Sequence, residues 1–191
     1  MKKRIALTLA MLMLATGITG CGVVKVVKIG EEGSLTGETE FDSSQQSGQD
    51  WEQVCAEISE NAKDLSEVEG DIGTEAVAVS GTATIKEWNH EQEVKTCLVL
   101  DGYDKEVQIQ TGSVYTGTAI RDLQTLKTFS DFTNQTEWSE YAKSLNKESD
   151  ELVIQPLSLS DDAAGKEITF VGGAVLKAGK IVITVTEAEI K

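Results

Sequence analysis

The stretch KEITFVGGAVLKAGKIVITV, residues 166–185, decides the fold of this chain. Side chains alternate on both sides of the segment Lys177–Lys180, which is typical of two half-buried strands joined by a hairpin turn. The pair Gly172-Gly173 interrupts the first strand, and glycine inside a strand marks a bulge or a sharp bend. The sequence therefore predicts a closing hairpin whose first strand bends.

Three more strands are predicted upstream of this hairpin. They cover Ala76–Ile85, Glu93–Leu100 and Glu106–Gln110, and each is bounded by turn-forming residues. Asp101-Gly102 is a strong turn signal because both residues tolerate a positive φ. Gly81, inside the first strand, indicates a bulge or a bend. The three strands form a meander.

The segment between the meander and the hairpin, Gly117–Pro156, is predicted to be mainly helical. A helix with one apolar face is expected to begin near Thr133 or Asn134. Pro156 should end any helix before it and hold Gln155 in extended geometry.

An amphipathic helix is also predicted ahead of the meander. Trp51, Cys55 and Ile58 recur at helical spacing, and Asp50 is the expected N-cap. The order of elements predicts an α+β fold: a small five-stranded antiparallel OB-like β-barrel with a helical insertion between strands three and four and an N-terminal helix. A plain antiparallel sheet with helices on one face is the alternative.

The first twenty residues have the pattern of an export signal. A basic start at Lys2–Arg4 precedes the apolar run Ile5–Ala15, which is too short to span a bilayer. The segment Ile18–Cys21 that follows resembles the lipobox of bacterial lipoproteins. We expect cleavage after Gly20 and diacylglyceryl modification of Cys21, with an ordinary signal peptide and a chance cysteine as the alternative. Two acyl chains suffice for stable anchoring.

These features predict three regions and a location. Residues 1–20 form a lipoprotein signal peptide, residues 21–49 form a lipid anchor and a flexible tether, and residues 50–191 form a single globular domain. The tether is expected because residues 30–50 are rich in Gly, Ser, Glu and Gln and offer little apolar surface to bury. The mature protein is expected to be exported and lipid-anchored to a bacterial membrane on its periplasmic or extracytoplasmic face.

The chain is strongly acidic, with 17 Lys and Arg against 32 Asp and Glu and a formal net charge of −15 at pH 7. Binding to nucleic acid depends on neutralising phosphates with Lys and Arg, so this composition argues against a nucleic-acid partner. A solvated acidic surface accounts for most of the charge.

No catalytic, metal or cofactor site is predicted. The chain has a single histidine, His90, which is expected in a surface turn, and no pair of cysteines at metal-ligand spacing. A phosphate loop, a dinucleotide fingerprint and a serine-nucleophile elbow are not found. Cys55 and Cys97 are compatible either with one disulfide or with two buried thiols.

Two polar pairs are candidates for contact with a ligand or a partner. Arg121-Asp122 falls at the start of the helical insertion, where it forms either an ion pair or a ligand contact, and an acidic residue at a helix start is favoured by the helix dipole alone. Asn134-Gln135 either caps the next helix or presents amides to a polar ligand.

The chain resembles the predicted bacterial periplasmic lipoproteins known as domain of unknown function 2291. The resemblance covers nearly the whole mature chain and is most specific between Gly117 and Gln135. The matching segments are Gln108–Val114, Gly117–Asp122, Phe129, Asp131–Gln135, Leu145-Asn146 and Gly165–Gly173, together with the lipobox, Phe41-Asp42 and Trp51.

What the resemblance implies about function is an envelope lipoprotein without an established activity, described beside components of sugar importers. We therefore expect a non-enzymatic binding or accessory module whose partners are the membrane, through the lipid on Cys21, and sugar-transporter subunits. The alternative is a hydrolase or lyase that acts on carbohydrate through paired carboxylates. A structural envelope component is a third hypothesis.

Overall fold

The computed structural model describes residues 41–92 and 94–191. The predicted signal peptide, Gly20, Cys21 and the tether up to residue 40 lie outside the described residues. The described strands form one six-stranded sheet in the order β1-β2-β3-β4-β6-β5, and a further pairing of β2 with β5 closes it into a barrel. The strands are β1 (Lys63–Asp64), β2 (Val77–Asn89), β3 (Cys97–Leu100), β4 (Val107–Gln110), β5 (Glu167–Lys177) and β6 (Lys180–Ile190).

The long strand β2 takes part in both halves of the barrel. Its first part, Val77–Thr84, pairs with β5, and its last part pairs with β3 from Ile85 onward. The register shifts between Ile85 and Glu87, where the strand changes partner. The bulge or bend predicted at Gly81 is not found there, because the irregularity of this strand lies between Ile85 and Glu87.

The five-stranded barrel with its helical insertion is confirmed, with one correction to the strand directions. β4 and β6 run parallel, pairing Val107 with Ile181 and Ile109 with Ile183. The barrel is therefore mixed and not purely antiparallel. A parallel pair needs a long crossover connection, and the helical insertion together with β5 supplies it. The short β1 also runs parallel to β2.

The closing hairpin follows the sequence prediction closely. Between β5 and β6, Ala178 has φ of 51° and Gly179 has φ of 81°, the two successive positive values of a tight hairpin turn. The register between β5 and β6 shifts at this point, because Val171 pairs with Glu187 and Gly172 pairs with Val185, which leaves Thr186 of β6 as an extra residue. The predicted irregularity thus lies at the first of the two glycines, but the bulged strand is β6 and not β5.

The first helix, α1 (Ser43–Asn61), begins earlier than predicted. The carboxylate of Asp42 is its N-cap and accepts hydrogen bonds of 3.0 Å from the backbone N–H groups of Ser44 and Gln45. Asp50, the predicted cap, lies inside the helix and is buried. Residues 43–49 were expected in the tether, but they are helical. Their segment has no apolar face, and polar contacts hold it against the domain instead: the Ser47 hydroxyl donates to Glu148 Oε1 at 3.1 Å.

Three further helices are described, and two of them form the insertion between β4 and β5. They are α2 (Leu65–Val68), α3 (Ala119–Leu123) and α4 (Gln135–Glu148). Asn134 caps α4, which confirms its predicted start. A π-helical turn, Ser149–Ile154, continues α4 and leads into a 3-10 turn at Gln155–Leu157.

The predicted extended geometry of Gln155 is wrong. Its φ of −58° and ψ of −39° are helical. Pro156 stands at the start of the 3-10 turn, where proline needs no N–H partner, so it begins a helical turn instead of stopping one.

Two hydrophobic clusters lie on opposite faces of the barrel wall. The interior cluster includes Val79, Leu98, Ile109, Ile168 and Ile183, all fully buried. The outer cluster joins α1, α3 and α4 to the barrel and includes Val54, Ile58, Ala78, Ile120, Tyr141 and Leu145. Neighbouring residues of β2 belong to different clusters because strand side chains alternate between faces.

Candidate functional site

The outer face of the barrel is only partly covered by helices, and a groove of about 670 Å³ lies on the uncovered part. The strand register places Ser80, Val171 and Glu187 in one row across β2, β5 and β6. The next row is Thr82, Thr169 and Glu189. These residues share a face with Ala78 of the outer cluster because the side-chain period in a strand is two.

One end of this outer groove is closed by short segments. Asp64 and Ser66 approach from the β1–α2 junction, and Asp101–Tyr103 approach from the loop after β3. That loop is fixed because the backbone N–H of Lys105 donates to Glu69 Oε1 and its ammonium donates to the Glu69 carbonyl at 2.9 Å. The groove therefore has a defined wall and an open side.

Two aromatic rings lie close to Gly81 beneath the outer groove. A Cβ at this position would lie 2.9 Å from Phe170 Cζ and 3.1 Å from the Tyr103 hydroxyl. The absence of a Cβ at Gly81 lets the ends of these two side chains approach the strand closely. Burial raises the pKa of Tyr103, and Asp64 and Glu69 add to this effect. Tyr103 therefore stays a neutral hydroxyl that can donate or accept a hydrogen bond.

The rim of the outer groove is acidic. Asp64, Asp101, Glu187 and Glu189 line it, and none of the described lining residues is Lys, Arg or His. Hydrogen bonds from the hydroxyl and the backbone N–H of Ser66 lower the pKa of Asp64, so this carboxylate is ionised at neutral pH. The groove offers hydrogen-bond acceptors, hydroxyls and a partly buried aromatic side chain, and it repels anions.

The predicted candidates Arg121 and Asp122 lie in α3, outside the outer groove. Arg121 Nε donates to Asp122 Oδ1 at 2.8 Å, and its guanidinium carbon lies 4.6 Å from the centre of the Trp138 ring. Thr118 donates its hydroxyl to the other oxygen of Asp122. The Arg121 side chain is 14 % exposed. The pair is thus engaged in local contacts, and its role as a ligand contact stays a prediction.

Asn134 and Gln135 also lie away from the outer groove. The amide oxygen of Asn134 accepts hydrogen bonds from the backbone N–H groups of Thr136 at 2.9 Å and Glu137 at 3.0 Å, which is the capping arrangement. Gln135 is exposed at the first position of α4. The four candidates from sequence lie near the ends of α3 and α4, whereas the groove is built from strands.

The groove residues were not selected from sequence. Their partnership depends on which strands meet when the barrel closes, and no local pattern reports that. The alternation of Glu187 and Glu189 is the one signal in the sequence, since it continues the strand pattern of residues 181–186 with an acidic face.

The two cysteines of the described domain are free thiols. Cys55 lies in α1 with its Sγ 3.8 Å from the Thr186 carbonyl oxygen, and burial raises its pKa to about 12. Burial also raises the pKa of Cys97. Both are therefore protonated and weakly reactive.

Within 41–92 and 94–191 no group of three or more His, Cys, Asp or Glu side chains is arranged to hold a metal ion. In the same residues, none of the helices combines the length and the apolar character needed to cross a membrane.

Comparisons with known proteins give a family and a fold. The model of a family described as "Predicted periplasmic lipoprotein (DUF2291)" matches residues 72–191. No curated protein matches the sequence. A crystal structure of an OB-fold protein from Thermotoga maritima is similar, with a TM-score of 0.59, 16 % identity, and coverage of 80 % of this chain and 100 % of that chain.

The predicted OB-like fold is confirmed by this structural similarity. An aspartyl tRNA synthetase from Entamoeba histolytica also matches, with a TM-score of 0.32, 9 % identity, and coverage of 68 % of this chain and 21 % of that one. The second similarity is too weak to support an argument.

Proposed function

Because the chain belongs to the family of predicted periplasmic lipoproteins known as domain of unknown function 2291, we propose that its folded domain is a non-enzymatic binding or accessory module. Membership places the protein outside the cytoplasm, lipid-anchored to a bacterial membrane. Anchoring through Cys21, after cleavage at Gly20, is part of the proposal. The outer groove over β2, β5 and β6 is the observation that carries it.

The outer groove suits an uncharged, polyhydroxylated ligand. Its volume of about 670 Å³ falls within the range of roughly 300–1,000 Å³ that small-molecule sites occupy. Carboxylates accept hydrogen bonds from ligand hydroxyls, whereas Ser80, Thr82 and Thr169 both donate and accept. A phosphorylated or otherwise anionic ligand would be repelled by the acidic rim. A sugar or a short glycan fits this chemistry.

The acidic groove can be tested by titration of the full-length, detergent-solubilised protein with a panel of neutral sugars and oligosaccharides. We expect Thr82→Val and Glu187→Gln to weaken binding by about tenfold, the effect of losing one well-made hydrogen bond. Glu140→Gln, on the exposed face of α4, is the matched control and should bind as the wild type does. Equal affinities for all three variants would contradict the assignment of the groove.

We further propose that the module serves a sugar-importing transporter at the same membrane. The support is the resemblance described above together with a groove whose chemistry suits sugars. Crosslinking in native membranes, followed by purification and mass spectrometry, tests this. Transporter subunits should be recovered with the wild type and lost with Cys21→Ala, which removes the anchor. Equal recovery with both forms, or recovery of no transporter subunit, would contradict the proposal.

The alternative of a carbohydrate hydrolase is less well supported by the same geometry. Glycoside hydrolysis needs a protonated carboxyl that serves as general acid beside an ionised one. Asp64 lies in the outer groove, and its hydrogen bonds to Ser66 lower its pKa. It is therefore suited to accept hydrogen bonds and not to donate a proton. The titrations above also test hydrolysis, because new reducing ends would appear over time if the groove cleaved its ligand.

A further inference from the structure

The last part of β6 has an unpaired edge. β4 pairs with β6 only over Ile181–Ile183, and beyond Ile183 no described strand pairs with β6 on the side away from β5. The Lys191 N–H donates to the Glu167 carbonyl at 2.9 Å, so every second residue of β6 from Lys191 backward faces β5. Ala188 and Ile190 therefore present their N–H and C=O groups to the other side.

The edge is closed up to Thr186 and open after it. The Ser149 hydroxyl donates to the Val185 carbonyl at 2.5 Å, and the Cys55 thiol lies 3.8 Å from the Thr186 carbonyl. No corresponding side-chain contact to the backbone of Ala188 or Ile190 is present among the described residues. Unpaired backbone groups along a strand are a ready template for another strand.

A second groove, the edge groove, of about 440 Å³ runs beside this open edge. Its other wall is apolar and comes from the π-helical turn and the 3-10 turn: Leu152, Val153, Pro156 and Leu157. Leu152 is 54 % exposed, so its apolar side chain is accessible from the edge groove. An extended peptide in the edge groove would pair its backbone with β6 and bury apolar side chains against this wall.

The charges on β6 indicate which kind of strand can pair with its open edge. Glu187 and Glu189 flank Ala188 and are both exposed. A second copy of this chain pairing antiparallel about Ala188 would place Glu187 opposite Glu189 of that copy, and like charges directly opposite are destabilising. A strand with Lys or Arg at those positions would form cross-strand ion pairs instead.

We propose that the edge of β6 from Ala188 to Ile190 accepts one extended strand of a partner protein in which basic and apolar residues alternate. The basic residues pair with Glu187 and Glu189, and the apolar residues pack on Leu152 and Leu157. This docking site shares Glu187, Ala188 and Glu189 with the outer groove, whereas its apolar wall at Leu152 and Leu157 does not line that groove.

The test uses the full-length protein and a short fluorescent peptide that alternates Val and Lys. A peptide of the same composition with its lysines in one block, and a peptide with Glu in place of Lys, are the controls. We expect the alternating peptide to bind at least about tenfold more tightly than either control. On binding, the amide protons of Ala188 and Ile190 should be protected from hydrogen exchange.

Two variants separate strand pairing from general attraction between charges. Ala188→Pro removes the N–H that faces the open side and keeps the N–H groups of Glu187 and Glu189, which face β5. Leu152→Glu places a charge in the apolar wall. Each should weaken binding of the alternating peptide by about tenfold, whereas the sugar titrations of the outer groove should not change with Leu152→Glu. If Ala188→Pro does not fold, the binding by Leu152→Glu and the hydrogen exchange of the wild type test the strand pairing on their own.

Three results would overturn the proposal. The first is equal binding of the alternating and block peptides, which indicates charge attraction alone. The second is the absence of protection at Ala188 and Ile190, which means that Glu187 and Glu189 serve only to keep the edge unpaired. The third is a dimer of the wild type that Ala188→Pro dissolves, which assigns the edge to a second copy.

Discussion

The phenol of Tyr141 donates a 3.0 Å hydrogen bond to Asp50 Oδ2, and both residues are buried where α1 meets α4. Gln46 donates to the same oxygen at 2.9 Å. The carboxylate of Asp50 in α1 thus accepts a hydrogen bond from Tyr141 in α4, a residue far away in the sequence. This bond explains why α1 continues through Asp50 instead of beginning there.

Tyr141→Phe is expected to lower the free energy of unfolding by about 2 kcal/mol, because it removes one buried hydrogen bond and leaves Asp50 with Gln46 alone. Urea denaturation followed by circular dichroism measures this. Tyr115→Phe is the matched control: its hydroxyl lies 3.5 Å from Asp150 Oδ1, and its loss should change stability by less than about 0.5 kcal/mol. Equal losses for both variants would contradict the role given to Asp50.

The cap of α4 offers a second comparison within two neighbouring residues. Asn134→Ala should cost about 1 kcal/mol, because two backbone N–H groups lose their acceptor. Gln135→Ala should stay within about 0.5 kcal/mol, since Gln135 is exposed and makes no capping contact. Thermal unfolding of the two variants side by side gives the difference. A larger loss for Gln135→Ala would mean that the cap is not the main role of this pair.

The barrel could be predicted from local patterns, whereas the groove and the first turns of α1 could not. The hairpin turn at Ala178-Gly179 and the alternation in β6 are written in neighbouring residues, and the order of elements then limits the topology. The row that joins Ser80, Val171 and Glu187 exists only after β2 and β5 pair.

The wrong start of α1 and the wrong geometry of Gln155 share a cause. In each place the local sequence favours one conformation, but a distant contact or the preceding turn stabilises another. Ser47 is fully buried against α4 although its segment has the composition of a linker. Pro156 follows a π-helical turn and opens a 3-10 turn, which local sequence does not distinguish from a helix end.

Arg121→Lys tests whether the guanidinium is structural. Lysine keeps the charge but loses the planar stack on Trp138 and the paired hydrogen bonds to Asp122, so stability should fall by about 1 kcal/mol. The partial exposure of Asp122 keeps this value small. Asp122→Asn, which leaves the stack in place, should not change Trp138 fluorescence, whereas Arg121→Lys should. Unchanged stability and fluorescence in Arg121→Lys would return Arg121 to the list of candidate ligand contacts.

The bulge in β6 requires a glycine on the facing strand β5. A Cβ on Gly172 would lie 2.7 Å from Val185 Cα and would overlap the Thr184 carbonyl, both part of the β6 backbone. Gly172→Ala should therefore cost about 3 kcal/mol or prevent folding. Gly73→Ala is the control because no atom lies within 4 Å of its added Cβ, and it should be neutral or slightly stabilising. Similar losses for both would mean that the barrel absorbs the extra atom by moving β6.

The thiol of Cys55 predicts how stability changes at alkaline pH. Its pKa is raised by burial from 9.0 to about 12 in the folded protein. Between these values the unfolded chain releases a proton that the folded chain retains. The contribution of the thiol to the free energy of unfolding is therefore complete below about pH 9 and is lost as pH rises toward 12. Tyr103, Tyr115 and Tyr141 also have raised pKa values and add to the fall at higher pH.

Subtracting the pH profile of Cys55→Ala from that of the wild type isolates the thiol. With a reductant present, the wild type should lose stability more steeply than the variant as pH rises above about 9, because only the wild type carries a thiol that deprotonates earlier in the unfolded chain than in the folded one. Parallel profiles would contradict a buried, protonated Cys55.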